Sequence, residues 1–294
     1  MLSEHLIQCL ATAAEAALEA GDYFRSRVDS IQDVKAKSSP NDLVTDVDPA
    51  CEAMIRRRIA ERFPDHDVLG EETTAPGAAA SAAAAEQVWN RPHLWIVDPI
   101  DGTTNFVHHL PLSVVSVAYA AGGEIQAGVV YDPYHREVFY AARGFGAYLA
   151  GAEAMRGWIG APSAEGLPVG VRLEASRVEH LKRAVVASGF PTRSRTYERT
   201  TANTAKLFGR VKSIRALGSA ALHLAYVAAG RIDGFFEYDL NAWDVAAGAL
   251  LVQEAGGCIG EIGGGPYHLR VRDIAAGGNP ALVQAMDGAI RGEA

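Results

Sequence analysis

Trp95-Ile96-Val97-Asp98-Pro99-Ile100-Asp101-Gly102-Thr103-Thr104-Asn105-Phe106 decides how this chain is read. A short apolar run of strand type ends in two carboxylates three residues apart. Pro99 fixes one backbone dihedral between them and Gly102 frees the chain to turn, so Asp98, the Ile100 carbonyl and Asp101 can converge on one point. Three oxygens with no imidazole or thiolate among them make a hard-cation site of the kind Mg²⁺ prefers. If a helix opens at this point, the amides of Gly102 and Thr103, with the hydroxyls of Thr103 and Thr104, form an anion cradle beside the cations.

A metal pair needs more carboxylates, and two other places offer them. Gly70-Glu71-Glu72 closes an apolar run, and Trp243-Asp244 opens the helical pattern Val245-Ala246-Ala247-Gly248-Ala249-Leu250. Taken singly, the paired glutamates read as a solvated turn and the aspartate as an N-cap. Beside the strand-end pair, both read as further ligands. Other motifs carry less. His108-His109 faces two directions and reads as packing. Gly144-Phe145-Gly146-Ala147-Tyr148-Leu149 lacks the third glycine of a dinucleotide fingerprint, Gly263-Gly264-Gly265 stands alone, and there is no Walker-type lysine motif.

The 294 residues are enough for one large domain or two ordinary ones, and 49% hydrophobic residues can fill a substantial core. With 35 acidic against 27 basic residues the formal charge is −8, and no basic block of the kind that grips phosphate backbones is read, so nucleic acid is not an expected partner. No run of 18 or more uncharged apolar residues is present, so a membrane span is not expected. The first twenty residues carry Glu4, Glu15 and Glu19 and do not resemble a signal peptide. Cys9, Cys51 and Cys258 lie far apart and read as buried small hydrophobes in a reducing, cytoplasmic setting.

Periodicity predicts an amphipathic helix from Leu6 to Phe24, a loop at Ser38-Ser39-Pro40, and a helix from Asp48 to Phe63 with Asp48 as N-cap and Pro49 at its first position. Strands are expected at His66 to Leu69, Leu94 to Val97, Ser113 to Ala121, Glu124 to Tyr131 and Arg136 to Ala142. Ala75 to Ala85 reads as a surface loop with room for a helical turn. The Gly/Pro-rich stretch Gly157 to Gly170 marks an expected division into an antiparallel-rich α+β half, residues 1–155, and an α/β half, residues 156–294. In the second half, strands are expected at Ala184 to Ala187, Ser213 to Ala216 and Gly234 to Glu237, with helices at Ser219 to Ala229 and Asp244 to Ala255.

On these motifs the chain resembles the inositol monophosphatase family, closest to its bacterial branch. Asn41-Asp42-Leu43-Val44-Thr45 with Asp48, Ser188-Gly189-Phe190-Pro191 and Gly218-Ser219-Ala220-Ala221 extend the agreement along nearly the whole chain. The resemblance implies a layered α-β-α-β-α sandwich, a homodimer, and a Mg²⁺-dependent, lithium-sensitive phosphatase acting on myo-inositol 1-phosphate. It implies one Mg²⁺ on Glu71, Asp98 and the Ile100 carbonyl, a second on Asp98, Asp101 and Asp244, and a weaker third ion facing Glu71. It further implies that a metal-bound water is oriented by Thr103, hydrogen-bonded to Asp48, and that Gly218, Ser219, Ala220 and Glu237 contact inositol hydroxyls. Thr103-Thr104-Asn105-Phe106 matches the inositol monophosphatase branch. The branches acting on histidinol phosphate or 3′-phosphoadenosine 5′-phosphate tend to carry a lysine after the Gly-Thr. These two substrates and fructose 1,6-bisphosphate stay open as alternatives, as does an added role in binding the transcription machinery. Arg156 to Arg172 departs from the pattern by being longer and richer in Gly and Pro.

Overall fold

A computed structural model describes residues 2–31, 33–37, 42–190 and 194–293. The loop expected at Ser38-Ser39-Pro40, together with Asn41 and Pro191, lies outside the described residues. The chain runs α1 (Glu4–Arg27), β1 (Lys35–Ala36), β2 (Leu43–Val44), α2 (Val47–Arg62), β3 (Asp67–Gly70), α3 (Ala78–Val88), β4 (Leu94–Asp101), α4 (Thr103–Val107), β5 (Val114–Ala121), β6 (Glu124–Asp132), β7 (Glu137–Ala142), β8 (Gly146–Gly151), α5 (Ala152–Ile159) and β9 (Val171–Arg172). It continues through β10 (Val185–Ser188), α6 (Ser194–Leu207), β11 (Ser213–Arg215), α7 (Ala220–Ala228), β12 (Gly234–Glu237), α8 (Ala242–Glu254), β13 (Cys258–Glu261), β14 (Ile274–Gly277) and α9 (Pro280–Arg291).

Strands β3 to β9 form a seven-stranded sheet in sequence order, and the second sheet has the order β11-β10-β12-β14-β13. Side-chain alternation gives the first sheet two apolar faces. Trp95, Val97, Val115, Val117 and Tyr119 point into a core with α1 and α2, whereas Leu94, Ile96, Ala118 and Ala120 point into a core with α7 and α8. The same α7 and α8 cover Phe235 and Ile274 of the second sheet, whose other face packs on Leu207 of α6 and on Leu282 and Met286 of α9. The result is a layered α-β-α-β-α sandwich with α7 and α8 in the middle.

Close approach of α8 to the first sheet depends on Gly128 of β6, where an added Cβ would stand 2.9 Å from the Ala247 carbonyl oxygen and 3.0 Å from its Cα. Gly128→Val should therefore force the layers apart and lower stability by about 1–3 kcal/mol, read as a lower urea midpoint.

Several expectations are corrected. Residues 78–88 form the helix α3 rather than a loop, because the alanines supply high helix propensity after Gly77, and Ala85 packs into the middle core. Asp48 is not the N-cap of α2; that place belongs to Asp46, and Pro49 is the third helical residue. Asn241, not Asp244, caps α8, with Asp244 third in the helix. Strand β4 runs four residues beyond Val97, through both carboxylates. Helix α5 crosses residue 155 and packs Met155 and Trp158 under the first sheet, which also takes up β9.

Candidate active site

In a regular strand, residues three apart point to opposite faces. Asp98 and Asp101 escape this because β4 carries a bulge: Asp98 pairs with Ser116 and Asp101 with Val114, three steps against two. The extra residue lies in the Pro99-Ile100 segment and returns both carboxylates to one side. Asp98 Oδ1 accepts the Ile100 amide at 3.1 Å, which tightens that turn.

The chain then leaves the sheet through Gly102 at φ +94°, a conformation that favours glycine. A Cβ at Gly102 would also lie 3.1 Å from the carbonyl oxygens of Leu112 and Gly218. Helix α4 opens at Thr103, the condition on which the anion cradle rested. Buried Asn105 fastens the turn by donating from Nδ2 to the Leu112 carbonyl at 3.0 Å and the Leu217 carbonyl at 2.7 Å. This residue stood in the motif without a role.

Strands β3 and β4 are parallel with Gly70 opposite Val97, so Glu71 arrives beside Asp98, its amide 3.3 Å from the Val97 carbonyl oxygen. Glu71 Oε1 and Glu72 Oε1 accept from Lys37 Nζ at 2.8 and 2.6 Å. Lys37 was missed because nothing near it in sequence ties it to residues 34 positions away. The Glu72 amide donates to buried Glu52 at 2.7 Å, another residue not foreseen.

From the central layer, α7 and α8 aim their N-termini at the same point. Asp101 Oδ2 accepts from Ser219 Oγ and the Ala221 amide, both at 2.6 Å. Asp244 Oδ2 accepts the Asn241 amide at 2.6 Å, and Ser116 Oγ donates to the Trp243 carbonyl at 3.2 Å, fixing α8 to β5. Asp98, Asp101 and Asp244 thereby each present an oxygen within 4.8 Å of the others.

Asp48 lies on the remaining side. Its Oδ2 accepts from the Thr45 amide at 2.8 Å and the Thr45 hydroxyl at 2.5 Å, which turns the carboxylate away from its own helix. Its Oδ1 is 3.1 Å from Thr103 Oγ1, which is equally close to the Ile100 carbonyl oxygen. Glu237, at the end of β12, is buried against Gly189, where no side chain would fit.

Burial drives the electrostatics. It raises the carboxyl pKa of Asp98 well above the usual value, with Glu71, Asp101 and Asp244 adding repulsion. Asp244 and Glu237 are raised well above theirs, again by burial first and then by neighbouring carboxylates. Asp101 rises only to about 6, because the bonds from Ser219 and Ala221 favour its charged form. Glu71 and Asp48 also move upward by burial, opposed by Lys37 and by the threonines respectively. An oxygen-only donor set that repels itself when ionised fits a divalent cation.

Glu71, Asp101, Thr103, Glu237 and Asp244 line a cavity of about 700 Å³ that also reaches Thr104, Gly218, Ser219 and Ala220, with Asp98 and Asp48 buried behind this lining. Ser219 Oγ faces Asp101 and caps α7 by accepting the Leu222 amide at 3.2 Å. His108 lines the cavity, whereas His109 lies 3.9 Å from Asp29 and away from it. Neither glycine-rich segment joins the site: Gly146 opens β8, and residues 263–265 follow β13.

The family model of the inositol monophosphatases matches residues 5–291. Nus factor SuhB of Escherichia coli K12 is 39% identical over 283 residues, covering 96% of this chain and 95% of that protein. Human inositol monophosphatase 1 is 32% identical over 280 residues, covering 94% and 92%. Among solved structures, the IMPase of Thermotoga maritima superposes with a TM-score of 0.78 at 29% identity over 95% of each chain. With agreement running from the first helix to the last, the chain belongs to the inositol monophosphatase family.

Proposed function

We propose that the protein is a Mg²⁺-dependent phosphomonoesterase that hydrolyses myo-inositol 1-phosphate or a related polyol phosphate with a metal-activated water. The observation that carries this reading is the meeting of Asp98, Asp101 and Asp244 within 4.8 Å, beside Glu71 and the Asp48–Thr103 pair. Glu71, Asp98 and the Ile100 carbonyl would hold one Mg²⁺ and Asp98, Asp101 and Asp244 a second, with room for a weaker third at Glu71. Bound Mg²⁺ supplies a nucleophile at neutral pH and neutralises charge on the leaving oxygen, so no Ser, Cys or His nucleophile is required.

The chain's own residues do the rest. The Thr103 hydroxyl donates its hydrogen bond to Asp48 or to the Ile100 carbonyl, which leaves its oxygen free to accept from and orient a water. Asp48 is held by Thr45 with a carboxyl pKa raised by burial, a suitable reservoir for the proton released. The amides of Gly102 and Thr103 and the Thr104 hydroxyl cradle the phosphate. Glu237 can accept two hydroxyl hydrogens of a polyol, with Gly218, Ser219 and Ala220 lining the same wall.

A phosphate-release panel over inositol 1-phosphate, fructose 1,6-bisphosphate, histidinol phosphate and 3′-phosphoadenosine 5′-phosphate tests the substrate. Turnover of only the last two would overturn the polyol reading. Glu237→Gln should raise KM for inositol 1-phosphate roughly tenfold with kcat little changed, the pattern of a lost binding contact. Lithium inhibition, a cytoplasmic location and a homodimer are part of the same proposal; light scattering reads the dimer. An added role in binding the transcription machinery has one observation in its favour, the name Nus factor borne by the 39% identical relative. Co-purification with RNA polymerase that survives Asp98→Asn would support it.

A further inference from the structure

Among the described residues, metal-ligating side chains converge in a second place, at the far end of β4 from the carboxylates. His5, His66 and His93 each present a ring nitrogen within 4.8 Å of the other two. They are remote from one another in sequence, so no motif announces them. The fold brings them together in two steps. Strands β3 and β4 are parallel with Asp67 opposite Leu94, and the Asp67 amide donates to the His93 carbonyl at 3.1 Å, so His66 and His93 stand side by side where the two strands begin. Helix α1 packs on the face of the sheet that carries Trp95 and Tyr119, and its first turn sets His5 over this end. The five steps of β4 from His93 to Asp98 span about 16 Å of extended chain, so the two sites share no ligand.

The rings are arranged with their nitrogens toward one another. Phe63, His66 and His93 stack in that order, with centroids 4.6 and 4.3 Å apart, so both faces of His66 are covered. His5 lies at 66° to His66 and therefore meets its rim, where the nitrogens are. The Tyr119 hydroxyl marks a point of convergence, 2.9 Å from His5 Nε2 and 2.7 Å from His93 Nδ1. Cys9, one turn after His5 on α1, brings its Sγ to 3.6 Å from the same His5 nitrogen. Three imidazoles with a thiol beside them, and no carboxylate in the set, suit Zn²⁺ and its late first-row neighbours rather than Mg²⁺. The donor chemistry is the opposite of the oxygen-only set at the other end of the strand.

We propose that His5, His66 and His93 bind a Zn²⁺-class ion that ties the first turn of α1 to the starts of β3 and β4. The site is independent of the phosphatase reading. Zn–N bonds of about 2.0–2.1 Å in a tetrahedron place the nitrogens roughly 3.4 Å apart, so binding draws the rings in by roughly 1 Å and opens the His66–His93 stack. His5 is exposed and the other two are half-buried, which leaves them that freedom. One bond has to break. The Trp95 indole donates to His66 Nδ1 at 3.1 Å. A metal on Nδ1 replaces that bond, and a metal on Nε2 requires Nδ1 to carry the hydrogen, so the indole loses its partner in either case.

The test uses the full, tag-free chain stripped of metal and then held in saturating Mg²⁺, which occupies the carboxylates. Calorimetric titration should show one Zn²⁺ bound per chain, with a higher thermal midpoint and a shift in tryptophan emission. Co²⁺ in its place should give the visible absorption bands of a tetrahedral ion. Loss of a ligand should cost at least what loss of a ligand's hydrogen-bond partner does, about 10–100-fold in affinity. His5→Gln/His93→Gln should therefore bind Zn²⁺ roughly 100-fold or more weakly, and lose the emission shift, while keeping the metal-free midpoint and Mg²⁺-dependent phosphate release. Asp98→Asn should do the reverse, keeping Zn²⁺ and losing phosphate release. If the double variant does not fold, His5→Gln alone changes an exposed side chain and should still cost roughly tenfold or more. No Zn²⁺ bound in saturating Mg²⁺, or binding that the histidine variants leave intact, would overturn the proposal and leave the cluster as packing alone.

Discussion

Asp98→Asn should reduce Mg²⁺-dependent phosphate release by at least about three orders of magnitude, because this one carboxylate is shared by both proposed cation positions. No other proposed ligand is shared in that way. The substitution keeps the shape of the side chain, and its amide oxygen can still accept the Ile100 amide that fixes the bulge. It also puts a group that cannot ionise in a buried place where Glu71, Asp101 and Asp244 disfavour a charge. The metal-free variant should therefore unfold no earlier than the metal-free parent, and calorimetry without Mg²⁺ checks that. Adding Mg²⁺ should raise the parent's midpoint and leave the variant's nearly unmoved, since the linkage between ligand and fold has been cut. Turnover retained in a folded variant would sink the two-cation assignment. A variant inactive because it is unfolded would leave a lowered metal-free midpoint as its mark.

How far the chain could be read beforehand follows from where each signal lives. Asp98, Asp101 and Gly102 are close in sequence, and their geometry is dictated by a proline, a glycine and a strand end. Asp244 and Glu71 were legible only as carboxylates at element boundaries; it takes parallel pairing of β3 with β4 and the seating of α8 on β5 to bring them in. Lys37 and Glu52 left no local trace, because their partners are 34 and 20 residues away. The apolar runs of β4 and β5 located both strands, but the bulge that reorients Asp101 is a property of the pair and cannot be seen in either strand. The alanine stretch misled for another reason. Pro76 and Gly77 argue for a loop, yet they only precede the helix α3.

Metal-free protein should lose stability as pH rises from 6.5 to 8, and saturating Mg²⁺ should abolish that slope. In an unfolded chain, Asp and Glu titrate near 4. In the fold without cations, Asp101 is raised to about 6 and Glu72 to about 8, and Asp98, Asp244 and Glu237 are raised well above their usual values, burial being the first cause in each. A raised carboxyl pKa means that the folded state keeps protons the unfolded state has already lost. Stability then falls with rising pH between the unfolded and folded values. Two imidazoles, half-buried His66 and buried His223, act with the opposite sign: they are lowered to about 4 and about 3, both chiefly by desolvation, so they weaken the fold as pH falls through about 6.5. At pH 6.5 the unfolded imidazoles are still about half protonated and oppose the slope; their contribution fades about one pH unit higher and is common to both series, so the difference between the series reports the carboxylates. A difference of one bound proton corresponds to about 1.4 kcal/mol per pH unit. For a chain of this size that is roughly 2–5 °C of thermal midpoint per unit. Bound Mg²⁺ takes the protons' place in neutralising the cluster, so its stabilising increment should grow with pH over the same interval. Scanning calorimetry at pH 6.5, 7.25 and 8, with EDTA and with Mg²⁺, reads both slopes. Equal slopes in the two series would mean that the carboxylates ionise without needing a cation, and the cluster would lose its claim to be a metal site.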